Sequence, residues 1–149
     1  MVSPLPADAH LLVGVDFSDG ARAALTEARR LAGRMQLPLA VVYVRDPIHD
    51  AGTRLDPEAE QWLADAEITP DQLHVRSGQP WAELARAAAA CGAVALVIGS
   101  HGRSGYQPVA LGSTAVRLGL VAPCPTVVVN PRARAAHALR ASVDHAAPL

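Results

Sequence analysis

Residues 93–113 read AVALVIGSHGRSGYQPVALGS. Positions 93–98 are apolar without interruption, the pattern of a strand covered on both faces, and their length marks a central strand. The chain then enters a loop with glycine at 99, 102 and 105. Gly112-Ser113-Thr114 opens a second apolar-periodic stretch through Ala115, Val116 and Leu120, which predicts a helix. A buried strand leading through a glycine loop into a helix is the repeating unit of open parallel α/β sheets.

Working outward, Leu11-Leu12-Val13-Gly14-Val15 forms a first strand, closed by Asp16-Phe17-Ser18-Asp19-Gly20. From Ser18, a suitable N-cap, apolar residues recur every three or four positions and predict a helix ending near Gly33. Residues 39–44 are again continuously apolar, a second strand with Val44 at its tip. The polar connection 46–72 holds one helical segment, 58–66, around Trp62 and Leu63. A third strand is expected at 72–76. Pro80 then suits the first turn of a helix reaching Cys91, and residues 126–129 complete the set as a fifth strand. Alternating strands and helices give an α/β single domain: an open parallel sheet with right-handed crossovers and helices on both faces. The domain spans 9–130. Residues 131–149 read as a C-terminal tail, flexible or partly helical, with no chemistry of its own.

Composition removes several mechanisms. All 13 basic residues are arginine, so there is no Schiff-base lysine, no lysine base and no Walker A loop. A net charge of −1 argues against broad binding to nucleic acid or anionic membrane. Cys91 and Cys124 are too few and too distant for a disulfide framework or zinc site, and are expected to be reduced and partly buried. His10, His49, His74, His137 and His145 lack metal-ligand spacing, and no metal site is assigned. Without a signal-peptide pattern or a membrane-length apolar run, the expected location is the cytoplasm, with no membrane insertion. Aromatics make up only 3% of the chain. Its abundant alanines must therefore bring helices close to the sheet.

In an open parallel sheet, ligands bind beyond the carboxyl ends of the strands, where the winding reverses. The strand 1 loop places Asp16 there. The strand 4 loop lets backbone N–H groups approach a ligand without obstruction, and the helix start at 112–114 favours an anion. Together these imply a phosphate cradle with a polar anchor opposite. Gly99, Gly102 and Gly112-Ser113 are spaced G-x2-G-x9-G-S, which is neither the Rossmann fingerprint nor a P-loop.

This spacing resembles the ATP-binding motif of the universal stress protein family. VGVDFS at 13–18 is similar to that family's opening strand and aspartate, VIGSHG at 97–102 to its strand 4 loop, and CPTVVV at 124–129 to its closing strand. The likeness extends over 11–130. It implies a five-stranded sheet in order 3-2-1-4-5, with ATP across the tips of strands 1 and 4. By position, Asp16 would bind the adenosine part, Val44 and Ile98 would line the adenine site, and Gly99 and His101 would stand near ribose and phosphates. Gly102, Gly112, Ser113 and Thr114 would receive phosphate oxygens through N–H groups and hydroxyls. Mg²⁺ would ride on the phosphates, since no cage of carboxylates is evident. Gly14 stands where some nucleotide binders have proline. The connection between strands 2 and 3 is short for the family.

Other roles stay open for the same residues. Asp16 or Ser113 would also serve as a helix cap, and His101 as an ordinary surface residue. An esterase or protease lacks the G-x-S-x-G elbow, and adjacent Ser100 and His101 are expected to point in different directions. At most, slow ATP hydrolysis or autophosphorylation is expected, with Ser113 or Thr114 as acceptor. A third reading is a nucleotide-free interaction module. His74 and Arg76 guard the strand 3 edge, whereas Thr126-Val127-Val128-Val129 is an uncharged edge that predicts a homodimer through strand 5. The expected ligand is an adenine nucleotide; protein partners are unknown.

Overall fold

The computed structural model describes residues 9–48, 54–102 and 111–131. Five strands, β1 (Leu11–Val15), β2 (Leu39–Arg45), β3 (Leu73–Ser77), β4 (Ala95–Gly99) and β5 (Thr126–Val129), alternate with helices α1 (Asp19–Met35), α2 (Pro57–Asp65), α3 (Pro80–Ala90) and α4 (Ser113–Val121). The sheet order is β3-β2-β1-β4-β5, parallel throughout. β1 takes the middle place and β4 lies beside it, so both are interior strands. Arg103 and residues 132–149, nearly all of the expected tail, lie outside the described residues.

The pleat divides the core. Leu11, Val13 and Val15 pack under α1 and α2 with Ala24, Leu25, Tyr43 and Trp62. Leu12 points the other way, into a second cluster with Val42, Leu84, Leu96, Ile98 and Leu118 under α3 and α4. That alternation is the period-2 geometry of a strand. It explains why β1 must be apolar at every position when both faces are covered. α1 buries Ala21, Ala24, Ala28 and Ala32, so its backbone lies close to the sheet, as the alanine content predicts.

Element ends differ from expectation where long-range hydrogen bonds take over. α1 continues past Gly33 and closes at Gln36, which adopts a left-handed conformation (φ 54°). Leu37 N–H bonds to Ala32 O at 3.0 Å and Gln36 N–H to Gly33 O at 3.4 Å, a Schellman closure. Residues 93 and 94 leave the sheet: Ala93 N–H returns to Ala88 O and Val94 N–H reaches His10 O, each at 2.9 Å. Gln72 belongs to the short 3₁₀ turn Pro70–Gln72 before β3, its side chain accepting from Thr69 N–H at 2.9 Å.

Glu83 ties α3 to the β3 edge, bonding Arg76 Nε at 3.1 Å and Arg86 Nη1 at 2.5 Å. Burial pushes its carboxyl up, but the bonds and charges of the two arginines outweigh this and hold it below the usual carboxylate range. Because the folded value is depressed, its stabilisation is present above the unfolded value, ordinarily about 4, and is lost as pH falls through the folded one. Urea unfolding between about pH 7 and pH 3 should therefore show a smaller stability loss in Glu83→Gln than in wild type. Equal pH slopes would refute this.

Cys91 is fully buried and Cys124 half-buried, and both are free thiols. Burial raises both thiol pKa values, and Cys91 raises that of Cys124 further. Among the described residues, no helix is long and apolar enough to cross a membrane.

Candidate functional site

A cleft of about 180 Å³ opens beyond the carboxyl ends of β1, β2 and β4, against the starts of α1, α3 and α4. Asp16, Val44, Ile98, Gly99, His101, Gly102, Gly112, Ser113 and Thr114 all line it. These residues are brought together from three strand ends and one helix start. The floor is apolar, formed by Val42, Val44, Leu84 and Ile98, and the walls are polar.

Asp16 forms one wall. Its Oδ1 accepts from the Ser18 N–H at 3.1 Å and from the Ser18 hydroxyl, an Asx turn. The Ser18 oxygen in turn accepts from Ala21 N–H at 3.1 Å and caps α1. Ser18 is therefore the cap, and Asp16 braces it from outside the helix. The other oxygen, Oδ2, faces Gly102, where a Cβ would lie only 2.7 Å away. Glycine at 102 is what leaves room for the carboxylate.

The opposite wall is the start of α4. Gly112, rather than Ser113, is the N-cap, so no cap side chain covers the first turn. Gly112 N–H is already donated to Ser100 O at 2.7 Å. This bond closes the loop at the rim of the cleft, which Gly112 also lines. The N–H groups of Ser113, Thr114 and Ala115 are the ones that lack intrahelical acceptors at a helix start. They carry the positive end of the dipole.

Ser100 and His101 also differ from expectation. Ser100 Oγ and His101 Nδ1 lie 2.8 Å apart, in hydrogen-bond contact. β4 ends at Gly99, and residue 100, just beyond it, is anchored by its N–H bond to Val129 O at 2.9 Å. Ser100 is only 3% exposed. A nucleophile needs access to substrate as well as a base, so the contact fixes the histidine ring without creating an open serine nucleophile.

Several residues that shape the cleft gave no local signal. Gly20, second in α1, faces the end of β4: a Cβ there would lie 2.6 Å from His101 O, and one on Gly99 would lie 2.9 Å from the Gly20 carbonyl group. Gly14 leaves space for Leu84, whose methyl would be 2.9 Å from an added Cβ. Leu84 and Pro80 stand one turn apart on α3 and both line the cleft. Their helical spacing was visible in the sequence, but not which strand tips they would face. Among the described residues, no three His, Cys, Asp or Glu side chains gather to hold a metal ion.

The universal stress protein family model matches residues 9–130. Universal stress protein Rv2028c of Mycobacterium tuberculosis is 31% identical over 135 residues, covering 81% of this chain and 48% of that protein; this chain thus spans about half of that relative. Universal stress protein YxiE of Bacillus subtilis is 24% identical over 145 residues, covering 80% of this chain and 97% of the relative. A solved universal stress protein in complex with cAMP shares the fold at TM-score 0.59 and 22% identity, covering 86% of this chain and 99% of the other.

Proposed function

This chain belongs to the universal stress protein family, and from that premise we propose that it binds an adenine nucleotide, ATP with Mg²⁺, in the cleft between β1 and β4. The observation that carries the reading is the pairing of an apolar floor with two polar walls: Asp16 on one side and the uncapped start of α4 on the other. Adenine would lie over Val42, Val44 and Ile98, Asp16 would accept from ribose hydroxyls, and the phosphates would meet the N–H groups of 113–115 beside His101 and Gly102. Residues that would form a protein-made metal cage are not gathered among those described. Mg²⁺ would be held by phosphate oxygens and water. A family member of this fold solved with cAMP supports an adenine ligand in general terms.

The protein would act in the cytoplasm as a regulatory dimer whose conformation and partners follow the nucleotide. Support for the dimer lies in the β5 edge: Val128 is exposed there, and Val116, Leu120 and Val121 on neighbouring α4 are exposed as well. Apolar groups beside an open strand edge are a template for a second copy. Sedimentation at micromolar concentration should give a dimer, and a monomer would refute that part.

Titration calorimetry with ATP and Mg²⁺ tests the nucleotide reading. One site per chain is expected. Gly102→Ala, whose methyl would displace Asp16 Oδ2, should weaken binding at least about tenfold, the loss of one charge-assisted hydrogen bond. Absence of binding by the wild type to ATP, ADP and AMP would overturn the reading. The chain has no lysine and, among the described residues, no gathered acidic metal cluster, the usual parts of a site for rapid phosphoryl transfer. Multiple rapid turnovers of ATP would instead identify an enzyme.

A further inference from the structure

Three of the chain's five aromatic residues, Phe17, Tyr43 and Trp62, meet behind the Asp16 turn. Phe17 adopts φ 64°, a left-handed conformation. Among the described residues two other non-glycine residues do so: Gln36, directly after the end of α1, and Glu67, just past the Ala66 cap of α2. Phe17 instead sits between a strand and an N-cap, where a bulky side chain at positive φ is a strained outlier. Such strain persists only where surrounding contacts impose it.

Those contacts come from β2 and α2. The Phe17 ring lies 4.5 Å from Tyr43 and 5.6 Å, edge-on, from Trp62. The Trp62 indole N–H donates to Ser18 O at 3.1 Å, and the Arg22 guanidinium lies 5.4 Å from its ring centre. Trp62 thus grips both residues that follow Asp16, one by its ring and one by its N–H. The left-handed turn at 17 lets Asp16 Oδ1 reach back to the Ser18 N–H and hydroxyl, with Oδ2 toward Gly102 and the cleft.

We propose that Phe17 is a positioning residue for the nucleotide site: clamped by Trp62 of α2, it holds the left-handed turn that aims the Asp16 carboxylate into the cleft. This rests on the nucleotide reading above and deepens it. It couples the docking of α2, which touches no part of the cleft, to the posture of the residue proposed to bind ribose.

A double-mutant cycle tests it, with ATP affinity measured by calorimetry for Asp16→Asn in wild-type and Phe17→Gly backgrounds. Glycine keeps the left-handed backbone accessible and removes the ring. In the wild-type background Asp16→Asn should weaken ATP about tenfold or more, as expected for a hydrogen bond to a charged group. In Phe17→Gly the same change should cost under about threefold, because neighbouring residues acting as one unit are non-additive. An equal Asp16→Asn penalty in both backgrounds overturns the proposal, since a ring that only stabilises the fold would leave that penalty unchanged. If Phe17→Gly shows no cooperative urea transition, Trp62→Phe replaces it, deleting the bond to Ser18 O while keeping an aromatic ring, with the same expectation. No ATP binding by wild type overturns the nucleotide reading itself, a result distinct from binding without coupling.

Discussion

Replacing Gly20 by valine is expected to cost about 3 kcal/mol of folding stability, the upper end of ordinary overpacking, and to abolish the proposed ATP binding. At this position even the first added carbon would lie 2.6 Å from the His101 carbonyl oxygen. That obstacle is backbone and cannot rotate away. Gly99 presses on the Gly20 backbone from the other side, at 2.9 Å for an added Cβ, so the start of α1 and the end of β4 pass main chain to main chain. Prising them apart would carry Asp16 and Ser18 away from His101 and Gly102 and open the cleft. Urea unfolding and calorimetry measure the two effects, and a variant with wild-type stability and affinity would refute the close approach. Gly33→Ala is the internal control. An added Cβ there meets nothing within 4 Å, so this variant should gain roughly 0.5–1 kcal/mol from helix propensity.

Leu12→Ala should remove about 3–5 kcal/mol, the range for a large-to-small change in a core that cannot collapse. Leu12 is fully buried at the sheet's centre. Its strand neighbours are Ala40 on β2 and Leu96 on β4, and it packs under α3 and α4 with Val42 and Leu118. Ladders on both sides hold β1 in place, so the space left by the side chain cannot close. The urea midpoint should fall with little change in slope, because the surface exposed on unfolding is nearly unchanged. Against a typical domain stability of about 5–15 kcal/mol this is a large fraction. A loss below about 1 kcal/mol would mean that the site repacks.

The elements were legible because their signals are local. Continuous apolar runs at 11–15, 39–44 and 93–98 mark strands covered on both faces, Ser18 and Pro80 mark helix starts, and the glycine spacing marks the loop. The resemblance carried by the three motif segments implied the sheet order and the residues that line the cleft. The ends were less legible. Gln36, with its polar side chain, closes α1 where Gly33 was the local candidate, because the closure depends on bonds between backbone groups. Ser100 and His101 gave the same lesson at the site: adjacent side chains on an ideal strand diverge, but this pair lies beyond β4, where the chain turns.

Periodicity and caps are carried by neighbouring residues, so a parallel α/β domain was readable along the chain, and the motif segments at 13–18, 97–102 and 124–129 carried the resemblance to the universal stress protein family that the family match confirms. How individual groups are used became visible only in the packed fold. It gave the Gly112 N–H to Ser100 O, assigned Gly20 and Gly99 to a backbone crossing, joined Ser100 to His101, and bent Phe17 into a left-handed turn under Trp62. Each depends on distances of a few ångströms, most of them between segments far apart in the chain. Such distances are fixed only when the helices settle on the sheet, and no spacing within one segment encodes them.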